Sequence, residues 1–372
     1  MPVAIVLRFD RVDRRELAPT GFVTCIAVFF VGDGVPDVPR TQANGAPTAT
    51  YMIQRILPKG GKRHMQNNVR VANAADFDFV KNCWTECFDD DERYVNWNFS
   101  ENYSAANTLV AECCGESAAA MQCIPYTLSF EKADISARYI SGVSTMPNFR
   151  NRGLARNLFE YALPLMRRQG AALAFLISAV DGMYEKFGFT KLCDRIMYRA
   201  ESLGKNPIQS IDDINLDALD RIYERRTRET LHIRRTRPDW KKLLSELAVG
   251  IGGYAAIAED SYCFAFYYKG GFEVYEKCGD FDFKPVRREP FMVRITDAEK
   301  FLKIFCKNFP DNVSVAVTDE FIPQNNGKFI ISDGSVIRCD KADNSASDFN
   351  FTVSELCRFA LADKSIFVGN II

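Results

Sequence analysis

Gly142-Val143-Ser144-Thr145-Met146-Pro147-Asn148-Phe149-Arg150-Asn151-Arg152-Gly153-Leu154-Ala155 is the stretch on which the reading of the whole chain turns. Its first residues continue an apolar run over 137–145 that predicts a strand, and Pro147, with no N–H to give to a ladder, closes it. Beyond the turn, Leu154, Leu158, Phe159, Ala162, Leu163 and Met166 recur at mostly three- and four-residue intervals. That spacing marks one buried helical face, with Gly170 as the stop and Pro164 as an expected kink. A helix starting here offers amides without intrahelical partners at the positive end of its dipole, so a pyrophosphate can accept from them directly. Gly153 removes the side chain that would block the approach. Arg150 and Arg152 add charge, and Ala155 keeps the first turn slim.

Working outward, residues 171–178 form a short apolar strand, so strand, helix and strand follow one another as in a right-handed crossover. Upstream, runs at 108–113 and 118–128 around Gly115 predict a buried hairpin, preceded by a strand near 69–72 and an amphipathic helix over 76–88. Downstream comes Met183-Tyr184-Glu185-Lys186-Phe187-Gly188-Phe189, a tyrosine three residues before an aromatic-Gly-aromatic turn, which places Tyr184 over the end of the same sheet. Arg150 and Arg152 as solvated turn residues, and Tyr184 as a core aromatic, are the competing structural readings.

At 372 residues the chain exceeds a single core, and two or three domains are expected. Residues 1–64, rich in Pro and Gly between Pro36 and Gly61 and without lasting periodicity, are expected to be a mobile extension or to follow from a translation start placed too far upstream, the alternative being a targeting or regulatory arm. A polar connection at 201–207 separates a first unit (65–200) from a second (201–287). The second unit carries a helix over 215–228, the segment 240–248, and strands at 253–258, 262–268 and 272–277. The last unit (288–372) begins with a strand at 291–295 and a helix over 297–305. Strands at 313–318, 327–332 and 336–340 and a helix over 352–361 follow.

The formal net charge of -1, from 47 basic and 48 acidic residues, gives no global reason to expect nucleic acid or an anionic membrane as partner. No apolar run is long enough to span a bilayer. Twelve cysteines include no Cys-x-x-Cys pair and the two histidines are isolated, so no metal site is expected. Cys83, Cys87, Cys306 and Cys357 fall on apolar helical faces, as free thiols do in a reducing compartment, which points to the cytoplasm. The run Asp89-Asp90-Asp91-Glu92 reads either as a solvated helix end or as an entrance for a polycationic amine.

From Gly142 to Phe189 the chain resembles the GNAT superfamily of N-acetyltransferases, whose Q/R-x-x-G-x-G/A turn binds the coenzyme A pyrophosphate and corresponds here to Arg150-x-x-Gly153-x-Ala155. More narrowly, the arrangement from Val69 to Ile372 resembles the enhanced intracellular survival (Eis) family. Trp240, Val315, Asp319 and Asn325-Asn326-Gly327 add to that likeness. The resemblance implies an α/β (α+β) fold: a GNAT domain with a central mixed sheet, a second GNAT-like domain and a C-terminal domain like sterol carrier protein. It implies acetyl-CoA as co-substrate and an amine as acceptor. Val143, Ser144 and Thr145 would pair by backbone with the pantetheine arm, and Arg150, Asn151, Arg152, Gly153, Leu154 and Ala155 would cradle the pyrophosphate. Tyr184 would protonate the departing thiolate, and the C-terminal carboxylate, here that of Ile372, would act as base. The family's terminal residue is aromatic, whereas Gly369-Asn370-Ile371-Ile372 is aliphatic. A homo-oligomer, a hexamer, is also implied. The alternative is a binding or scaffold protein that keeps the fold and binds acyl-CoA without turnover.

Overall fold

The computed structural model describes residues 67–178, 180, 182–204, 208–249, 253–268, 270–339 and 346–369. The extension expected over 1–64 and the residue Ile372 lie outside them. Chain order begins with β1 (Asn67–Val71), α1 (Phe77–Cys87), α2 (Glu92–Glu101), β2 (Thr108–Cys113), β3 (Glu116–Phe130), β4 (Ala133–Thr145), α3 (Leu154–Arg168), β5 (Leu173–Ile177) and β6 (Thr190–Ala200). It continues with β7 (Ile208–Ser210), α4 (Leu216–Thr227), β8 (Leu231–Ile233), α5 (Arg237–Val249), β9 (Gly253–Ile257), β10 (Tyr262–Tyr268), β11 (Gly271–Cys278) and β12 (Lys284–Ile295). It ends with α6 (Ala298–Phe305), β13 (Val313–Thr318), β14 (Gly327–Ser332), β15 (Ser335–Arg338), β16 (Phe349–Thr352), α7 (Val353–Leu361) and β17 (Ile366–Phe367).

One mixed sheet runs through the first two units in the order β1-β2-β3-β4-β5-β12-β6-β11-β10-β9-β7, with β8 attached to β3 and β17 to β8. Helix α3 packs on it through Leu154, Leu158, Phe159, Ala162, Leu163 and Met166, all buried, as the spacing predicts. At roughly 1.5–3 kcal/mol for each large apolar side chain, this face fixes the helix firmly. Pro164 lies inside α3, which is continuous to Arg168.

The apolar run at 291–295, read from sequence as the opening strand of the last unit, pairs antiparallel with β5 from Phe291↔Ile177 to Ile295↔Leu173 and with β6 on its other edge. It is thus an inner strand of the first unit's sheet. An uninterrupted apolar run suits such a slot because both faces are covered: Met292 enters the core under α3, while Phe291, Val293 and Ile295 enter the opposite one. The last unit has its own sheet, β15-β14-β13-β16, and α6 and α7 bury Phe301, Phe305, Leu356 and Leu361 in the same core as Phe175 and Val293. That shared core fixes the last unit against the first.

The acidic run after α1 splits its tasks. Asp91 caps α2 by accepting from the Arg93 amide at 2.9 Å, and Asp90 turns inward to accept from Trp84 Nε1 at 2.8 Å. Burial pushes the Asp90 carboxyl up to about 7, against the opposing hydrogen bond from Trp84. Because its folded pKa exceeds the unfolded value, its contribution to stability is full below about pH 4 and is lost as pH rises through 7. Asp90→Asn keeps an acceptor for Trp84 without the charge. At pH 8 the variant is expected to gain about 2 kcal/mol over the parent, discounted for partial exposure, with no gain at pH 4. Urea unfolding at the two pH values checks it, and an equal change at both would exclude the charge as cause.

Candidate active site

Strand β4 runs parallel to β5 for only three residues, Ala137↔Leu173, Arg138↔Ala174 and Tyr139↔Phe175. From Ile140 onward β4 has no partner on that edge, although β5 continues to Ile177. The two strands part, and the facing edge of Val143, Ser144 and Thr145 borders the gap. Their side chains are buried, and on its other edge β4 pairs with β3 at Ala120↔Ser144 and Ala119↔Thr145.

Just before the split edge reaches Val143 the register slips between Ala120 and Gln122, and Gly142 sits at the slip with φ +59. A Cβ here would lie 2.5 Å from the Trp84 ring, so both the backbone conformation and the close approach require glycine. Through its indole N–H, Trp84 is in turn tied to Asp90. A lone glycine within an apolar strand was the available sequence signal for this bulge.

Below the gap, Asn151 and Gly153 both take left-handed conformations, φ +62 and +76, and turn the chain into α3. Gly153 is the residue before the helix; its carbonyl accepts from the Asn157 amide at 3.0 Å, and no side chain caps the helix start. The amides of Leu154, Ala155 and Arg156 therefore point out of the helix end with no acceptor among the described residues. A Cβ added to Gly153 would meet nothing among the described residues nearer than Asn157 Oδ1 at 3.8 Å.

The two arginines flank this opening, each anchored on one side. Arg150 Nε donates to the Thr145 carbonyl at 3.2 Å and its Nη2 lies 3.8 Å from Cys87 Sγ. Arg152 Nη2 donates to the Asn148 carbonyl at 3.1 Å, Nη1 approaches Cys113 Sγ at 3.7 Å, and the guanidinium lies over the Phe149 ring. The Cys87 thiol is pulled down to about 6, first by its neighbour Cys83 and then by Arg150, against the opposing effect of burial. The cysteine spacing did not reveal that Cys87 lies beside Arg150.

Tyr184 is 8% exposed, and its ring meets Phe159 of α3 and Phe189 edge-on, at 6.0 and 6.2 Å between centroids. Helix α3 thus contacts the tyrosine with one turn and offers the open amides with another. The turn after Tyr184 is held by β12 and the segment after β13: Arg294 Nε donates to the Phe187 carbonyl at 2.6 Å, and Nη2 donates to Asp319 Oδ1 at 2.7 Å, both side chains fully buried. Asp319 also accepts from the amides of Phe321 and Ile322 and from Asn325 Nδ2. Asp319 and Asn325, noticed in the sequence only as family cues, are parts of this brace.

The last described residue, Gly369, lies against the buried pair Arg235 and Glu276, after β17 has paired with β8. Among the described residues no group of His, Cys, Asp and Glu could hold a metal ion, and no helix is long and apolar enough to cross a membrane.

A sheet that splits beside an uncapped glycine-led helix start defines a GNAT-type fold. Residues 68–192 match the family model described as Acetyltransferase (GNAT) domain. No curated protein matches the chain in sequence. Among solved structures it is similar to Eis1 from Mycobacterium abscessus, at 15% identity and a TM-score of 0.59, with 78% of this chain and 88% of that one covered. A GCN5-related N-acetyltransferase from Anabaena variabilis gives 14% identity and a TM-score of 0.60, covering 82% of this chain and 98% of that one. A probable N-acyltransferase from Enterococcus faecalis gives 12% and 0.61, covering 79% and 89%. At these identities the likeness is one of fold.

Proposed function

We propose that the chain is an acetyl-CoA-dependent N-acetyltransferase that moves an acetyl group to a primary amine by direct attack on the thioester. The observation that carries this reading is the run of open amides at the start of α3, at the foot of the β4–β5 split and led by Gly153. Those amides, with Arg150, Asn151, Arg152, Leu154 and Ala155 around them, would hold the pyrophosphate. The free edge of Val143, Ser144 and Thr145 would take the pantetheine arm as an added strand, with an N–H there on the carbonyl oxygen as negative charge develops. The amine nitrogen forms a bond to the acyl carbon, the carbon–sulfur bond breaks, and the sulfur leaves as a thiol with the proton of Tyr184. The proton lost by the amine goes to a base, for which the carboxylate of Ile372 is the proposed group.

The same reading takes the second unit as GNAT-like, the last as similar to sterol carrier protein, the assembly as a hexamer and the location as cytoplasmic. Light scattering tests the assembly. Calorimetry with acetyl-CoA tests the reaction class: absence of binding at micromolar concentration would remove it. Gly153→Val should weaken acetyl-CoA binding at least tenfold, since it places a branched side chain over the amides and strains a left-handed residue. Unchanged affinity in a folded variant would show that the cofactor binds elsewhere.

A further inference from the structure

A second cavity, of about 530 Å³, opens between the free edge of β3 and the segment that joins β8 to α5. Its lining includes Tyr126, Arg138, Arg234, Arg235, Asp239 and Lys242. Strand β3 has two neighbours on this edge with a space between them: β2 ends its pairing at Gln122, and β8 begins its own at Leu128. Four of the lining side chains are cationic. Two are matched, Arg234 by Asp134 and Arg235 by Glu276. The carboxylate of Asp239 is occupied by the Thr236 amide at 2.7 Å and hydroxyl at 2.6 Å, at the start of α5.

Arg138 and Lys242 are not matched. Among the described residues Arg138 makes one hydrogen bond, to the carbonyl of its neighbour Ala137 at 3.2 Å, and its Nε is buried without a partner. Burial holds its guanidinium below the usual range, opposed among the described residues by the Cys123 thiol and by no carboxylate. Lys242 has no ion-pair partner among the described residues, and burial holds its ammonium down too, against weaker pulls from Glu101, Asp239 and Glu246. Both half-buried cations line one cavity, and its lining carboxylate, that of Asp239, is otherwise engaged. An anion bound there would complete them.

We propose that this cavity binds the carboxylate of the amine acceptor, so that the substrate is an amine with a carboxylate at its far end, and that Arg138 and Lys242 set this specificity. The proposal rests on the acetyl-transfer reading above. Position supports it: Arg138 lies in the second of the three rungs that join β4 to β5, one rung before the strands part. Gly142 is four residues further along β4, about 13 Å at 3.3 Å per residue. The guanidinium fork suits a carboxylate in two-pronged contact, with the Lys242 ammonium as a second charge. The same charges disfavour a polycation such as an aminoglycoside or a polyamine.

Matched pairs of acceptors decide the matter: lysine against cadaverine, and 6-aminohexanoate against hexylamine, with thiol release measured for the full chain and for Arg138→Met, Arg138→Lys and Lys242→Met. The wild-type chain is expected to favour the carboxylate member at least tenfold in kcat/KM. Arg138→Met should reduce that ratio at least tenfold, Arg138→Lys should restore part of it, and Lys242→Met should reduce it severalfold. A wild-type ratio near one, or a ratio unchanged in both methionine variants, overturns the carboxylate site while leaving acetyl transfer standing. Calorimetry with 6-aminohexanoate in the presence of coenzyme A gives an independent readout. Binding lost in Arg138→Met supports the site even if every amine fails as an acceptor, a result that would remove the acetyl-transfer reading alone. Inorganic phosphate or acetate binding as tightly as 6-aminohexanoate would mark a general anion site and overturn the acceptor assignment.

Discussion

Asp319→Ala is expected to destabilise the folded chain by about 3–5 kcal/mol, because it leaves the guanidinium of Arg294 buried without a counter-charge. Arg294 and Asp319 are both removed from solvent, and burial already holds Arg294 below its usual value despite the attraction of Asp319. The remaining contacts of Arg294, to the carbonyls of Phe187 and Ile295, supply hydrogen bonds but no full charge. The loss also frees the amides of Phe321 and Ile322 and Asn325 Nδ2, which all donate to the same carboxylate. Equilibrium urea unfolding measures the effect. The double variant Arg294→Met with Asp319→Leu should recover much of it, since an apolar pair of similar volume avoids the desolvation of both ions. A single variant as stable as the parent would show that the pair does not brace the turn after Tyr184.

That brace shows what the sequence could and could not display. Helix α3 and the turn that opens it were legible because their information is local: a 3.6-residue apolar period, a glycine before its start, two arginines beside it. The reach of β12 into the first sheet was not. An apolar run of five residues fits any buried strand, and only pairing with β5 and β6, more than a hundred residues upstream for β5, selects its slot. The same limit hid the roles of Asp90 and Arg138. An acidic run and a lone strand arginine look like surface in one dimension. The burial of Asp90 against Trp84, and the lack of an ion-pair partner for Arg138 among the described residues, belong to the folded state. Tyr184 was legible as a position, from its aromatic-Gly-aromatic turn, while the residues that hold that turn, Arg294 and Asp319, lie more than a hundred residues downstream.

Tyr184→Phe follows from that position and is expected to lower kcat for amine acetylation by about 10²–10³ while leaving the Kd for acetyl-CoA within about twofold. The substitution keeps the ring against Phe159 and Phe189, so packing on α3 and the open amides beneath it should be preserved. It removes only the hydroxyl. If that hydroxyl gives its proton to sulfur as the carbon–sulfur bond breaks, the variant must expel a thiolate, and the barrier to that step rises. A free phenol titrates near 10 and a free thiol near 8.5, so transfer to a fully formed thiolate is uphill by about 1.5 pK units, a gap small enough for the phenol to serve as acid while the carbon–sulfur bond breaks. The parent's kcat should therefore fall at high pH as the phenol ionises, and the variant should lack that limb of the profile. A merely structural tyrosine would instead lower stability or cofactor affinity in step with turnover. Equal losses in kcat and in acetyl-CoA binding, or an unchanged alkaline limb, would assign the proton to another group.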